Sequence, residues 1–427
     1  MNYGVNMSTN ALAPGVYVEE VDGLSLSVGR AATAVPVLVV GKSDKEPWWP
    51  HYQKPLLIPS FADYLRYVKG ENSAAKTRYS RTGAQRSSIN KHHAGPANWP
   101  MLANSETVPG MDIEWHRHFA PALKAYFDNG GGYCYVCPWD QLDMVLDMND
   151  VTLLVQAGQK EAAAEILRLC EPGSGLFGLL DGPNEEGGFN EESLSEHLST
   201  LSPSDCVSIY YPWLKADWNL NDKDGMPYPM DKIHPVAPSA AVAGVICSVD
   251  RQLGPWKAPA NVALKGGLRP AVKIGDKSQA KFTDPSKTTI SVNMLREFTG
   301  RGTQVWGART MTISGNAWAY IPVRRTFDMA ERDIKSAMES VLFEPNGPAT
   351  WEVVRAAIDN YLHNLWQQGA LVGSTPSTGY FVQVGKGVSM SQSDIDNGIL
   401  RIRIGLAVVR PAEFIILEFS QQLANGS

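Results

Sequence analysis

Apolar and polar residues follow two rhythms along this chain, one of strands and one of helices. Residues 13–21, Ala-Pro-Gly-Val-Tyr-Val-Glu-Glu-Val, open on a turn signal and continue as a short alternating strand. Residues 33–41 read as a buried strand ending at Gly41, with Pro36 pointing to an edge or strand-end position. From His116 a helix runs to Asn129, three glycines break it, and a strand follows over 133–138. Residues 156–169 are predicted helical, with Ala163, Ile166, Leu167 and Cys170 on one face. Then come a strand over 175–180, a helix over 191–198, a strand over 206–211 and a buried helix over 238–249. Strands and helices taking turns indicate a layered α/β domain.

The last third has the clearest periodicity. Asp328 is placed to cap a helix with apolar positions Ala330, Ile334, Ala337, Val341 and Leu342, and Glu331 gives the capping-box spacing. After the turn at Phe343-Glu-Pro-Asn-Gly-Pro348, Thr350 opens a second helix that carries Trp351, Val354, Ile358, Tyr361, Leu362 and Leu365 on one face and stops at Gly369. Two strands follow. In the second, Leu400, Ile402, Ile404, Leu406 and Val408 alternate with Arg401 and Arg403, which buries one face and leaves the other basic. Two stretches stand apart. Residues 42–112 are polar and Pro-rich, with one helix-like piece near 61–68, and are predicted to be an exposed insertion; 214–236 is turn-rich and 254–290 suits short strands and loops.

The chain's two ends are stickier than termini usually are. Val16, Tyr17, Val18 and Val21 at one end, and Phe414, Ile415, Ile416, Leu417 and Phe419 at the other, are strand formers that would aggregate unless a sheet took them up. Such ends suit a subunit that links to others.

Composition narrows the classes. The 427 residues suffice for two or three domains, and 19 % charged residues is a low share that fits surface buried in an assembly. A net charge of −6 argues against a nucleic-acid footprint, and no apolar run is long enough to span a bilayer. The first residues lack the basic and apolar regions of a signal peptide, so the chain is expected to stay in a cytoplasm until lysis or a dedicated machine releases it. Five scattered cysteines make no disulfide framework.

Gly41-Lys-Ser43 lacks the glycine five residues earlier that a phosphate loop needs, because Pro36 stands there. Cys134 and Cys137 have CxxC spacing, but inside a strand they face opposite ways and no second pair would close a zinc site. His92, His93, His116 and His118 have no metal-ligand spacing to a carboxylate pair. Asp222-Lys-Asp-Gly225 fails as a calcium loop, with Leu220 at its first ligand position and Asp231 where a bidentate Glu belongs. Arg309 calls for a carboxylate partner, and the adjacent Arg324 and Arg325 suggest either a subunit-contact salt bridge or an anion clamp. Nothing nominates a nucleophile and base, and no catalytic residue, cofactor or metal is predicted.

A series of motifs, in order along the chain, resembles the contractile tail sheath proteins of bacteriophages and related injection particles. They are Pro14-Gly-Val-Tyr-Val-Glu-Glu20, Tyr126-Phe-Asp-Asn-Gly-Gly131, Pro238-Ser-Ala-Ala-Val-Ala-Gly244, Gly254-Pro-Trp-Lys-Ala-Pro-Ala-Asn261, Val305-Trp-Gly-Ala-Arg-Thr310, Tyr320-Ile-Pro-Val-Arg-Arg325, Phe343-Glu-Pro-Asn346, Gly369-Ala-Leu-Val-Gly373 and Pro411-Ala-Glu-Phe414. One departure is Gly379-Tyr-Phe381, where a small residue or an acid is expected before a Phe-Phe pair.

The resemblance implies a structural subunit that polymerises around an inner tube and shortens, with itself, the tube protein, and baseplate and cap proteins as partners. The expected fold is mixed α/β, with layered α/β domains and a C-terminal assembly domain completed by strand arms shared between subunits. The expected divisions are 1–30 and 411–427 as arms, 31–41 with 113–237 as the middle domain, 42–112 as insertion and 238–410 as the C-terminal domain. The charged side of the helix predicted from Asp328 (Glu331, Arg332, Asp333, Lys335 and Glu339) is the expected inner-tube contact. Two alternatives stay open: a sheath paralogue confined to one end of the particle, and an α/β enzyme using the 130–240 layer.

Overall fold

Strands apolar on both faces need cover on both faces. Among the described residues such runs are β1 (Pro36–Val40), β3 (Cys134–Pro138), β4 (Leu153–Val155), β5 (Phe177–Asp181) and β6 (Val207–Tyr211), every residue of which is buried. The computed structural model describes residues 26–43, 54–68, 113–185, 188–216, 218, 234–283, 290–312 and 316–413. Among these, nine strands form one sheet in the order β2-β3-β1-β4-β5-β6-β11-β12-β9, where β2 is Leu56–Ile58, β4 Leu153–Val155, β9 Val262–Ala263, β11 Asn293–Phe298 and β12 Gly302–Trp306. The run from β3 to β11 is parallel, with Val37 opposite Tyr135 and Leu154, and Gly178 opposite Val207. Antiparallel β2 closes one edge, and the β11–β12 hairpin with β9 closes the other. Strands β7 (Leu214–Ala216), β8 (His234–Val236) and β10 (Arg269–Pro270) make a small antiparallel sheet.

Helix α1 (Phe61–Val68) packs near β2 and buries Tyr64 completely. Helix α2 (Ile113–Asp128) crosses α5 (Pro238–Leu253), which lies over β4, β5 and β6. The crossing is close because α5 carries Gly244 there; a Cβ at that position would stand 2.2 Å from the Tyr126 carbonyl oxygen. Between them in sequence, α3 (Ala162–Leu169) and α4 (Glu191–Ser199) alternate with β5 and β6 as expected.

The second core begins where the sheet's core ends. Helix α6 (Asp276–Thr283) still packs Phe282 into the first core, which runs from Val35 to Ile321. The second cluster runs from Val323 to Val408 and unites α7 (Ile321–Met338), α8 (Pro348–Gln367) and the hairpin of β13 (Tyr380–Val384) and β14 (Ile402–Leu406). Gly369, at φ 78°, ends α8 as predicted, and Ala370 N–H closes the turn onto the Leu365 carbonyl. Arg401 and Arg403 are exposed while Ile402, Ile404 and Leu406 pack on the second cluster.

Several expectations need correction. The C-terminal domain does not start at 238: α5, β11 and β12 complete the first core, and the division falls near 321. Residues 54–68 are not exposed insertion, since Ile58 and Tyr64 are core; residues 69–112 lie outside the described part. Helix over 156–161 is replaced by turns that follow β4, in which Ala157 has φ 49° and Gly158 φ 88°. Asp328 is no cap: α7 begins two turns earlier behind Tyr320, with Pro322 in its first turn. Helix α8 likewise starts at Pro348 behind Gly347, before Thr350. Leu342 is exposed, and Pro36 opens an interior strand, so only its strand-end placement holds.

Asp181 ties the sheet to α5. At the C-terminal end of β5 its carboxylate accepts from Ser239 N at 2.7 Å, Ser239 Oγ at 2.9 Å and Gly158 N at 2.9 Å, capping the helix as a structural acid. Burial pushes its pKa up to about 6, against the lowering effect of those donors. The folded state therefore holds the proton more tightly than the unfolded chain does, and this group's contribution is largest below about pH 4 and is lost as pH rises through 6. Asp181→Asn should abolish that decline in urea denaturation series between pH 4 and 7. The variant should also cost about 1–3 kcal/mol at the low end, because its amide carries two N–H donors where the protonated carboxyl carries one O–H, in a place where the neighbours already donate.

Candidate functional site at the roots of the two arms

Helix α7 has more buried charge than its polar sequence announces. Arg324, Arg325, Asp328 and Asp333 are all buried on it. Arg325 forms a two-pronged pair with Asp250 of α5, Nη1 to Oδ1 at 2.9 Å and Nη2 to Oδ2 at 2.7 Å, and Nη2 also donates to the Thr33 carbonyl at 2.8 Å. Burial works against the guanidinium's charge, but Asp250 outweighs it and holds the Arg325 pKa above its ordinary value. Arg324 reaches down one turn to Asp328, Nε to Oδ1 at 2.8 Å, and its guanidinium lies 4.5 Å from the Trp318 ring centre. Both arginines thus meet partners within the chain, which overturns the expected subunit-contact salt bridge and anion clamp.

The same helix holds residues 30–33, at the base of the expected N-terminal arm. Ala31 N–H donates to Asp333 at 3.2 Å, Arg332 donates to the Ala32 carbonyl at 2.7 Å, and Tyr361 Oη of α8 donates to the other Asp333 oxygen at 2.8 Å. Arg30 donates to Gln368 at 2.8 Å and lies 5.0 Å over Trp256, while Leu26 and Val28 pack on the second core. Burial raises the Asp333 pKa against the pull of Tyr361 and Ala31, and lowers that of Arg332. Residues 26–33 are therefore pinned along α7 by side chains and backbone alike.

The C-terminal root is fixed differently. Arg309 forks onto Glu413, Nε to Oε2 at 2.9 Å and Nη2 to Oε2 at 2.6 Å, and Tyr320 Oη adds a bond at 3.1 Å. Arg309 was expected to find a carboxylate, and this is it. Upstream, Val372 N–H donates to Ala407 at 2.7 Å and Val409 N–H to Ala370 at 3.2 Å, fastening residues 407–409 beside α8. Among the described strands, β13 and β14 pair only with each other, and the chain just beyond β14 pairs with residues 370–372.

The predicted linking residues Val16, Tyr17, Val18, Val21, Phe414, Ile415, Ile416, Leu417 and Phe419 lie outside the described residues. Of the expected tube-facing side chains, Glu331, Lys335 and Glu339 are exposed, Arg332 turns inward to the arm root, and Asp333 is 2 % exposed. Sequence reading missed Asp250 and Tyr361 as partners. Only the crowding of charges on one helical stretch hinted that some must be buried. Cys134 and Cys137 are buried and free, Ser43 donates N–H and Oγ–H to Asp140, and no described group of His, Cys, Asp and Glu could hold a metal.

The chain is 40 % identical to the chain of the contracted sheath complex of an extracellular contractile injection system, PVC, with a TM-score of 0.74 and cover of 97 % of this chain and 99 % of that one. The chain belongs to the contractile sheath protein family. The anti-feeding prophage supplies two further structures in the contracted state, its helical sheath (33 % identity, TM-score 0.68) and its baseplate (34 %, 0.70); each match covers 97 % of this chain and 100 % of the other. A family model for the phage tail sheath C-terminal domain matches residues 314–422, which begins close to the division between the two cores. The tail sheath protein of Vibrio phage KVP40 is 29 % identical over 133 residues, 30 % of this sheath protein and 19 % of that one.

The Arg325–Asp250 pair generates a test. Removing one partner leaves a buried uncompensated charge, so Arg325→Met should destabilise the subunit by about 3–5 kcal/mol in urea denaturation. Replacing both, as Arg325→Met with Asp250→Leu, should cost much less. Equal losses in the single and double variants would mean that the pair is not what holds this junction.

Proposed function

We propose that this sheath protein polymerises helically around an inner tube and that the polymer shortens to drive the tube through a target envelope. The observation that carries the reading is that residues 26–33 and 407–413 are both fastened to the second core, which gives each predicted arm a fixed starting point. Strand-forming sequences lie beyond each root, and the β13–β14 hairpin has outer edges that no other described strand pairs. Strand addition to an open edge gives a contact with main-chain specificity, and a head-to-tail contact that does not close builds a helix. The partners are other copies of the chain, an inner tube protein, a baseplate and a cap, in a phage tail or a released injection particle.

A second reading rests on the baseplate match: a related chain stands in the contracted baseplate of the anti-feeding prophage, so a copy serving at one end of the particle fits as well. Electron micrographs of the purified chain separate the two, since a major sheath forms long tubes and an end-restricted paralogue forms rings or short stacks. Deleting residues 1–22 or 414–427 should leave a folded subunit with an unchanged melting temperature that makes no tubes. Tubes of normal length from either truncation would refute linkage by the arms.

Toward the inner tube, α7 offers Glu331, Lys335 and Glu339. Exposed ion pairs contribute about 0–1 kcal/mol each and are screened by salt, which suits a grip that has to let go. Reversing Glu331 and Lys335 together should weaken co-sedimentation with tube at low salt and leave sheath-only polymers intact. Unchanged co-sedimentation would assign this face to solvent.

A further inference from the structure

Phe343 stands where a turn would ordinarily take glycine or asparagine. It follows the α7 helix by one turn, its φ is 73°, and its side chain is fully exposed, beside Leu342 at 65 % exposure. A bulky residue in the left-handed region is strained, and an exposed ring recovers nothing for that strain within the subunit. At the opposite end of α7 lies an apolar groove of about 570 Å³, lined by Trp318, Val323, Phe327, Val372, Leu406 and Val408. Knob and groove are separated by the length of an 18-residue helix, roughly 25 Å. One molecule therefore cannot fill its own groove with its own knob. The charges beside them match: Glu344 follows the knob and Arg410 borders the groove, both are exposed, and neither has an ion partner among the described residues.

We infer that Phe343 of one copy seats in the Trp318 groove of a second copy, with Glu344 meeting Arg410. This rests on the sheath reading and adds to the arms a contact between the rigid parts of neighbouring subunits. Because the knob and its receptor lie on different faces, the contact is head-to-tail, and repeated without closing it propagates a helix.

Phe343→Gly tests the inference without risk to the fold, since glycine relieves the strained backbone. The variant should melt at the wild-type temperature or above, while the critical concentration for tube formation rises by about tenfold, the loss expected for one buried aromatic anchor. Independently, an equimolar mixture of Phe343→Cys and Ala317→Cys subunits, assembled and mildly oxidised, should yield disulfide-linked dimers, and either variant alone should not. The native cysteines, all buried, give little background. An unchanged critical concentration, or no dimers from the mixture while wild-type protein forms tubes, overturns the contact and spares the sheath reading. Cross-linking of Phe343→Cys to cysteines placed at Leu417 or in the inner tube protein also overturns it, because the knob then has another receptor. Wild-type protein that forms no tubes removes the sheath reading and this contact together.

Discussion

A guanidinium sunk into a protein has to be met on every side, and Arg325 is met by three parts of the chain at once. Its own helix α7 begins the second core, its partner Asp250 belongs to the helix that covers the main sheet, and the Thr33 carbonyl it binds lies between the arm root and β1. The two cores meet within a few residues of it, at Ile321 and Val323. Two apolar surfaces would slide against each other with little preference. A forked ion pair, by contrast, has one geometry, and losing it strands a charge. The pair is therefore better understood as fixing the angle between the sheet domain and the assembly core than as adding net stability.

Asp328 and Asp333 extend the same logic along α7. Each is buried, and each has its pKa raised chiefly by burial. Asp328 Oδ2 and Arg332 Nε have no hydrogen-bond partner among the described residues. A helix with this much buried charge spends stability on direction: its partners at Ala31, Ala32 and Thr33 set the path of that segment along the helix. In the proposed assembly, where neighbours are found through the ends, exit direction matters more than a slightly deeper free-energy well.

What was legible in the sequence was what local periodicity carries. The face of α8 with Val354, Ile358, Tyr361, Leu362 and Leu365 is buried as read, with Trp351 half-buried, and the alternation in β14 holds with Ile402, Ile404 and Leu406 half-buried against the second core, because burial there follows from neighbours a turn or two residues away. What failed depended on distant partners. Asp328 with Glu331 satisfies a capping rule, yet Tyr320-Ile-Pro322 starts the helix earlier and turns the aspartate into a partner for Arg324. The domain boundary was misplaced because β11 joins the sheet beside β6, some 80 residues upstream, a pairing no window of sequence displays. The strand Leu56–Ile58 and Tyr64 were hidden by polar surroundings, although three residues on a sheet edge and one aromatic ring suffice to join the core. Of the candidate site, the carboxylate for Arg309 was foreseen as a need, but Glu413 lies 104 residues away and only the fold identifies it.

The rooted ends also bear on how strongly one arm can link. About six apolar side chains in an arm, at roughly 1.5–3 kcal/mol each, yield about 10 kcal/mol on burial. Ordering some ten residues at about 1–2 kcal/mol each takes back nearly all of it. A free tail would thus bind a neighbour weakly. Pinning residues 26–33 and 407–413 to the subunit fixes where each arm starts and removes part of the search, which is preorganisation without new contacts. In the proposed assembly each link stays weak enough to pivot, while a mesh of many links stays whole, because detachment of one arm leaves its partner at high effective concentration. A lattice that must change shape without falling apart needs that division, with rigid roots that set direction and arms that are individually weak and collectively binding.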